Sequence, residues 1–393
     1  MFNFLAIISG SILTCKFIFY ADKNMLSVFW MCLGVFFICF SIYIFFDFIS
    51  KIFKVITSKK KIFNIEDDFN TTYNELKKIH FNILETFRKK IFINRRLEKM
   101  CVFFTFIFLN LFIYCQEGLV YAKNFREVNY TTNIFKQTVF IMMIIAILGV
   151  IKCASNHIIC DREYTKKFKK DIVAEFIKLI NPNLKYCYYD KVFNREKSIE
   201  IENEYINANF DNTNTTAVVD NDNISGKIAE NFFFNMSDVI VYFDNNGDGT
   251  SCRHFEGLFS WLDASKDIKN CLRINLNGDN FSDNADEEYL AMDHTEFEKV
   301  FDVYCNDKIL ATRILTVDIM QDIIDFYEKY KIMFEICYKN NKVYMRFFTG
   351  NMFEPKVFED TMNINTMYIY YAVIKFVIET TQKISKIAED IEI

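Results

Sequence analysis

The chain has 393 residues, 51% of them hydrophobic and 17% aromatic, with 45 Phe and 21 Tyr. This apolar content exceeds that of ordinary soluble domains, so we expect segments embedded in a membrane. The formal net charge of −5 gives no support to nucleic-acid binding, and the twelve Cys contain no C-x-x-C pair and no four-ligand zinc spacing. We therefore predict reduced, buried thiols in a reducing compartment, no metal and no cofactor.

Apolar segments of spanning length lie in the first 153 residues. A membrane helix needs roughly 20 apolar residues to cross a hydrocarbon core about 30 Å thick. One segment, Met25 to Phe46, meets this requirement, and Thr138 to Ile151 meets it once Ile134 and Phe135 before it, or Ala154 after it, are included. A third requires Lys16 to reach the headgroups, and a fourth must continue past Gln116 and Glu117. In chain order the four are Phe2 to Tyr20, Met25 to Phe46, Met100 to Cys115 and Thr138 to Ile151. A cleaved signal peptide is the alternative for the first, although it lacks a basic start and an A-x-A site.

Lys and Arg are distributed unevenly between the loops that join these segments. Residues 51–99 hold thirteen, residues 152–170 hold six, and residues 116–137 hold three. Since loops rich in Lys and Arg stay in the cytoplasm, the pattern predicts a multi-pass protein of the cell membrane with both termini cytoplasmic. The predicted domains are a first transmembrane hairpin (1–50), a cytoplasmic basic amphipathic helix (51–99), a second transmembrane hairpin (100–153) and a cytoplasmic α+β domain (154–393).

The helix predicted between the two hairpins is supported by apolar residues at spacings of three and four. These are Phe69, Tyr73, Leu76, His80, Ile83, Phe87 and Ile91. Thr72 and Glu75 form a capping-box pattern near its start. His80 has no second ligand nearby in the sequence, so we expect a core histidine. The basic cluster from Arg88 to Lys99 suits anionic headgroups, with a docking surface for a protein as the alternative.

A change of periodicity marks a soluble domain after the last span. A basic amphipathic helix runs from Asp161 to Ile180, where Asn181-Pro182 ends it, and helical spacing returns at Val317 to Tyr330 and at Asn365 to Ala388. Short β-branched or aromatic runs between Asn, Asp and Gly predict strands. They are Asp238 to Phe243, Arg253 to Trp261, Cys271 to Leu276, Phe334 to Tyr338 and Val343 to Phe348. The predicted fold class is membrane α-helical hairpins plus a C-terminal soluble α+β domain with an antiparallel sheet.

Five short blocks, taken in order, carry a resemblance to a known family. They are Asp222 to Lys227, Phe255 to Phe259, Glu296 to Phe301, Ala311 to Thr316 and Phe353 to Pro355. Through these blocks the chain resembles bacterial membrane proteins of the domain of unknown function 3137 family, from about Asp161 onward and in the hairpin before it. The resemblance implies a transmembrane hairpin joined to a cytoplasmic α+β domain, and it implies no reaction, substrate or catalytic residue. The Asn-rich stretch from Asp211 to Asn223 and the first hairpin depart from the family pattern.

Two groups of residues have part of the composition of a metal site. Asp244 to Thr250 begins like a calcium loop, but Phe255 stands where the bidentate Glu belongs, and we expect a hairpin turn instead. Cys153, His157 and Cys160 supply three potential ligands where a helix leaves the membrane, and a fourth is missing. Neither group predicts a bound metal.

Charged residues of the soluble domain also have structural explanations. His294 stands among carboxylates that could transfer protons, but Thr295 and Glu298 form a capping box, and we expect a helix start there. Arg313 and Glu354 lie in the family blocks, and we expect each to form a buried ion pair between a strand and a loop.

No arrangement of residues in the sequence identifies a catalytic mechanism, so we predict no catalytic, cofactor-binding or metal-binding residue. The leading hypothesis is a membrane-tethered cytoplasmic binding or scaffolding module, whose partners are the lipid bilayer and a protein at the cytoplasmic face. One alternative is a membrane-bound hydrolase with an acidic site around His294, Glu296 and Asp263. The other is a transport component, for which Lys16 and Asn110 are few polar groups inside the spans.

Overall fold

The computed structural model describes residues 65–121, 129–188, 195–210, 215–229, 232–244, 251–277, 287–355, 357 and 362–390. Within these ranges the backbone alone is described at 106, 110–121, 129–136, 195, 216, 244, 251, 264–270 and 389–390. All described elements belong to one compact unit, Asn64–Ile393. The predicted first hairpin (1–50) lies outside the described residues. Most of the predicted hairpin turn, residues 245–250, also lies outside them.

Two long helices open the described structure. Helix α1 is Asp67–Tyr121 and α2 is Asn129–Phe168; a π-helix, Lys169–Val173, continues α2 directly into α3, Ala174–Ile180. The two long helices pack antiparallel, because Glu98 lies 2.8 Å from His157 and Arg95 lies 3.7 Å from Asp161.

Helix α1 starts earlier than the sequence predicts. Asp67 and Asp68 occupy its first turn, where the positive end of the helix dipole stabilises carboxylates. Thr72 therefore lies within the helix and not at its N-cap, so the predicted capping box is wrong. The predicted apolar face is confirmed at Phe69 and Tyr73, which are buried, whereas Ile83 is 47% exposed. His80 is half-buried and lies 3.7 Å from Asp171.

In the described residues, the C-terminal part of the chain is built on one seven-stranded antiparallel sheet. Its strands are β1 Leu184–Tyr188, β2 Thr215–Ala229, β3 Phe232–Asp244, β4 Ser251–Leu276, β5 Glu288–Tyr289, β6 Phe301–Cys305 and β7 Phe334–Phe347. The order is β1-β2-β3-β4-β6-β5, and β7 pairs with β4 along its other edge. The long strand β4 is therefore the centre of the sheet.

Helices cover both faces of this sheet. They are α4 Arg195–Ala208, α5 Thr295–Glu298, α6 Lys308–Ile314, α7 Val317–Tyr330 and α8 Ile364–Asp390. On one face Tyr205 of α4 packs on Phe259, with ring centroids 5.1 Å apart. On the other face Phe326 of α7 stacks on Phe376 of α8 at 4.0 Å. Each fully buried aromatic side chain of this kind contributes about 1.5–3 kcal/mol to folding.

The N-terminal part of α1 docks onto the domain. The Tyr73 hydroxyl donates to the Met362 carbonyl at 2.6 Å, and the Glu66 carboxylate accepts from Tyr371 at 3.0 Å and from Lys375 at 2.8 Å. Phe69 stacks on Phe176 of α3 at 4.8 Å. The helix pair and the sheet are thus joined through both α1 and α2.

The predicted C-terminal α+β domain with an antiparallel sheet is confirmed. Helix α7 has the predicted bounds, and the helix from Asp161 ends at Ile180 as predicted, since Asn181 is extended. Two pairs of predicted strands are each one continuous strand, β4 and β7. Asn340, with φ of 58°, interrupts the pattern of β7 without ending its pairing.

Candidate functional site

Four buried or half-buried polar side chains meet where α2 joins the sheet. Lys169 is 3% exposed, and its ammonium donates to Asp222 Oδ2 at 2.8 Å and to Glu354 Oε1 at 2.5 Å. Asp222 is fully buried and also accepts from the Tyr186 hydroxyl at 2.8 Å. We call Lys169, Asp222, Glu354 and Tyr186 the buried lysine–carboxylate cluster.

Irregular backbone positions this cluster from three sides. Lys169 is the first residue of the π-helix, and such wide turns are frequent at functional sites. Asp222 follows a register shift between β2 and β3 that leaves Asn221 as the extra residue, and β-bulges likewise re-aim side chains near functional sites. Glu354 lies in the segment after β7 and also accepts from the Asn221 amide at 2.9 Å.

Asp238 extends the cluster across the sheet. It is the cross-strand partner of Asp222, is 3% exposed, and accepts a hydrogen bond from the Met352 backbone N–H at 3.1 Å. Burial, followed by the negative charge of Asp222, raises the pKa of Asp238 to about 8. Asp238 is therefore mainly protonated at neutral pH.

Burial and neighbouring charges also shift the pKa values of Lys169, Asp222 and Tyr186. Burial alone would lower the pKa of Lys169, but Asp222 and Glu354 together raise it above its ordinary value. Burial raises the pKa of Asp222 in spite of Lys169 and Tyr186, and burial with Asp222 raises that of Tyr186 well above its usual range. The Lys169 ammonium thus lies between the Asp222 and Glu354 carboxyl groups in a largely buried site, where the attraction between opposite charges is stronger than in water. The arrangement can fasten α2 to the sheet.

A second set of buried charges lies on the sheet face under α4. Arg346 donates to Glu335 at 2.5 Å and to the Tyr205 hydroxyl at 3.0 Å, and its guanidinium stacks on the Phe210 ring at 4.8 Å. Arg273 on the same face donates to Glu287 at 2.7 Å. These pairs tie α4 and the segment before β5 to the sheet.

Two thiols complete this face. Cys271 of β4 and Cys337 of β7 are buried with their sulfur atoms 3.7 Å apart. The contact with Cys337 and burial raise the pKa of Cys271. The two sulfurs therefore pack as small apolar groups with one weak hydrogen bond between them.

The structure does not bring the hydrolase candidates together. His294 caps α5, with its Nδ1 accepting from the Phe297 backbone N–H at 3.2 Å, and Glu296 pairs with Lys299 at the surface. Asp263 lies on β4, 3.9 Å from Lys342. The predicted helix start is confirmed, but its cap is His294, and the predicted capping box of Thr295 is wrong.

Cys153 and His157, which were weighed as metal ligands, have other neighbours. His157 pairs with Glu98, and Cys153 lies against Cys101. In the described part of the chain, no three His, Cys, Asp or Glu side chains are close enough together to hold a metal ion. His254 is exposed and lies edge-on to Phe243.

Sequence reasoning identified part of the lysine–carboxylate cluster. Glu354 forms the ion pair expected of it, although its partner is on a helix, whereas Arg313 is exposed near the end of α6 and the expectation for it is wrong. Lys169 was counted only as one of six basic residues after the fourth span. Asp222 and Glu354 stand in the first and last family blocks, so the ordered blocks were the available signal for this site.

Comparison with known protein families gives a match in the C-terminal part of the chain. A family model described as "Protein of unknown function (DUF3137)" matches residues 253–386, which include all the blocks except Asp222 to Lys227. No curated protein matches. Among solved structures, the crystal structure of the mycobacterial trehalose monomycolate transport factor A, TtfA, aligns at 11% identity and a TM-score of 0.29, over 57% of this chain and 93% of that one. The match of residues 253–386 to the DUF3137 family model agrees with the resemblance that the sequence blocks predicted.

Proposed function

We propose that the chain is an integral membrane protein whose cytoplasmic α+β domain binds or scaffolds a partner. The observation that carries this proposal is the apolar surface of α2. Among the described residues, one helical stretch, Gln137–Ile180, is long and apolar enough to cross a membrane. Of the most apolar 18 residues of this stretch, only 6% are buried against the rest of the chain. A core helix of a soluble protein would be mostly buried. Side chains such as Ile141, Ile145 and Leu148 are 56–59% exposed, a surface that suits lipid.

The contact between α1 and α2 supports the same proposal. Ala146, Gly149 and Cys153 lie on the side of α2 that faces α1, at spacings of three and four. A Cβ added at Gly149 would lie 2.9 Å from the Cys101 sulfur, so the backbones approach closely. Small residues at such a seam are typical of membrane helix pairs, because packing drives their association.

The orientation follows from the basic residues. The domain end of the pair carries Lys and Arg in both helices, and the segment at the opposite end, residues 116–137, holds three. This distribution supports a cytoplasmic domain. In this arrangement the lysine–carboxylate cluster fastens the membrane helix to the domain.

A binding role accounts for the pairing of the buried ionisable groups. Lys169, Arg273 and Arg346 each hold a carboxylate of this same chain, which suits a rigid platform presented at the membrane. Chemical crosslinking in cells, followed by mild-detergent extraction of the full chain, should recover a reproducible partner bound to the soluble domain. Absence of any such partner would contradict the binding role and leave the membrane anchor untouched.

Single cysteines on a Cys-free background test the anchor. With probes at Ser58, Asn129 and Thr349, an impermeant maleimide should label position 129 in intact cells and positions 58 and 349 only after permeabilisation. Extraction of the chain by alkaline carbonate would contradict insertion. Labelling of 349 in intact cells would contradict the orientation.

A further inference from the structure

Two basic segments that are far apart in the sequence lie side by side at the domain end of the helix pair. Because Arg95 lies near Asp161 and Glu98 near His157, residues 88–99 of α1 run alongside residues 152–170 of α2 and the start of the π-helix. Within these two ranges, all of which the structure describes, nine Lys and Arg residues are exposed. Glu163 is the exposed acidic residue there. We call this surface the basic belt.

Three carboxylates near the belt are paired with neighbouring basic or histidine side chains. Glu98 faces His157, Asp161 faces Arg95, and Glu85 holds Arg88 through two hydrogen bonds of 2.6 and 2.7 Å. These pairs neutralise charge at the seam. The outward surface of the belt consequently keeps its excess of positive charge.

Exposed apolar side chains alternate with these cations. Ile93 is 55% exposed and Leu97 43% in α1, and Ile158 is 48% and Ile159 52% in α2. Branched apolar side chains beside Lys and Arg are typical of a helix at a membrane surface, where the apolar groups enter the acyl boundary and the cations stay with the headgroups.

The position of the belt along the helices matches the headgroup layer. The apolar runs end at Met100 in α1 and at Ile151 in α2. Toward the domain, the first residue after each apolar run is Lys99 in α1 and Lys152 in α2. Arg96 lies about one helical turn, roughly 6 Å, from Met100 in the same direction. A headgroup layer is roughly 5–8 Å deep on each side of the hydrocarbon. All three cations therefore reach the depth of the lipid phosphates.

We propose that the basic belt binds anionic phospholipid headgroups of the cytoplasmic leaflet, with Arg96, Lys99 and Lys152 in direct contact. This inference rests on the proposed membrane insertion. The phosphatidylcholine headgroup carries a quaternary ammonium beside its phosphate, which repels these cations, whereas the phosphatidylglycerol headgroup has the phosphate without an ammonium. Each Lys or Arg at this depth should raise the association constant of an anionic lipid, relative to a zwitterionic one, on the order of five-fold.

The full chain reconstituted in phosphatidylcholine vesicles, with a trace of spin-labelled lipid, tests the proposal. Electron paramagnetic resonance separates lipid immobilised at the protein from bulk lipid. Spin-labelled phosphatidylglycerol should associate several-fold more strongly than spin-labelled phosphatidylcholine, and less so at 1 M salt because exposed charges are then screened.

A triple variant and a charge-matched control make the test specific. Arg96→Gln with Lys99→Gln and Lys152→Gln should abolish the preference, while Lys99→Arg with Lys152→Arg should keep it. The control replaces three exposed lysines elsewhere in the domain by glutamine, namely Lys185, Lys227 and Lys386, and should also keep it.

The outcomes separate the two proposals. Equal association of both lipids with the wild-type chain would overturn the inference and leave membrane insertion intact. A preference that survives the triple variant, or that the control loses equally, would also overturn it. If neither labelled lipid is immobilised by the wild-type chain, membrane insertion itself fails and the inference fails with it.

Discussion

Lys169→Met removes the ammonium of the buried lysine–carboxylate cluster and keeps a side chain of similar length. Asp222 is fully buried, so it loses its counter-charge in a place that water does not reach. It must then stay ionised and unpaired or take up a proton. From its ordinary pKa of 3.8, protonation costs about 4.4 kcal/mol at pH 7 and about 1.6 kcal/mol at pH 5. The first value agrees with the about 3–5 kcal/mol typical of breaking a buried ion pair.

Two further variants isolate the charge effect. Lys169→Met combined with Asp222→Asn removes both charges, and the amide oxygen can still accept the hydrogen bond of Tyr186, so most of the lost stability should return. Lys178→Met breaks only an exposed ion pair with Glu175 and should cost less than about 1 kcal/mol.

Thermal unfolding of the full chain in detergent, followed by near-UV circular dichroism, measures these effects. For a domain of this size, about 3–5 kcal/mol corresponds to a fall in Tm of roughly 6–20 °C at pH 7, and the fall should be smaller at pH 5. A Tm within about 2 °C of wild type for Lys169→Met would refute the reasoning. So would a double variant no more stable than the single one.

Three other changes test separate features. The carboxyl of Asp238 has a pKa of about 8 in the folded chain, so its protonation stabilises the fold less and less as pH rises from about 4 to about 8. Asp238→Asn should therefore flatten this part of a Tm profile measured between pH 5 and 9. Gly257→Ala should prevent folding, because the added Cβ would overlap the Phe347 carbonyl oxygen in the neighbouring strand. The control Gly350→Ala lies in open space with φ of 62°, and it should lower the free energy of unfolding by about 1–2 kcal/mol in the same assay. Asp307→Ala removes the α6 cap that accepts from two backbone N–H groups, and the free energy of unfolding in urea should drop by about 1 kcal/mol, with Asp307→Asn close to wild type.

Several results would contradict these expectations. A Tm profile of Asp238→Asn parallel to that of wild type would show that the carboxyl titrates normally. Folding of Gly257→Ala with native stability would mean that β4 and β7 can separate at little cost. An equal loss in both Asp307 variants would remove the cap as the explanation.

Elements with strong local periodicity could be predicted from the sequence. Helix α7 alternates buried Ile323 and Phe326 with exposed acids at helical spacing, and its bounds were found. Strand β2 was missed, because the Asn-rich sequence before Ile224 looks like a loop while its backbone pairs with β3 over fifteen residues. Helix α4 was missed because its charged sequence has a weak apolar pattern, and its position is set by contacts such as Tyr205 with Arg346.

The lysine–carboxylate cluster could not be assembled from sequence. Lys169, Asp222 and Glu354 are separated by more than fifty residues each, and their meeting depends on a π-helix and a β-bulge that no residue pattern specifies. Among Lys166, Lys167, Lys169 and Lys170, nothing local distinguishes the one that is buried. Only the fold, which turns one lysine inward, selects it.

The π-helix between α2 and α3 sets the rotational phase between the helix pair and the sheet. A π-turn holds about one residue more than an α-turn, and each residue of an α-helix turns the chain by about 100°. With one residue fewer between Phe168 and Ala174, the apolar stretch of α2 would be rotated by about that angle relative to the sheet. Gly149 would then turn away from Cys101, and a bulkier neighbour would enter the narrow seam. The extra residue thus lets one continuous helix place Gly149 against the neighbouring helix at one end and Lys169 against the buried Asp222 at the other. A regular α-helix of the same path would not present both side chains in these directions.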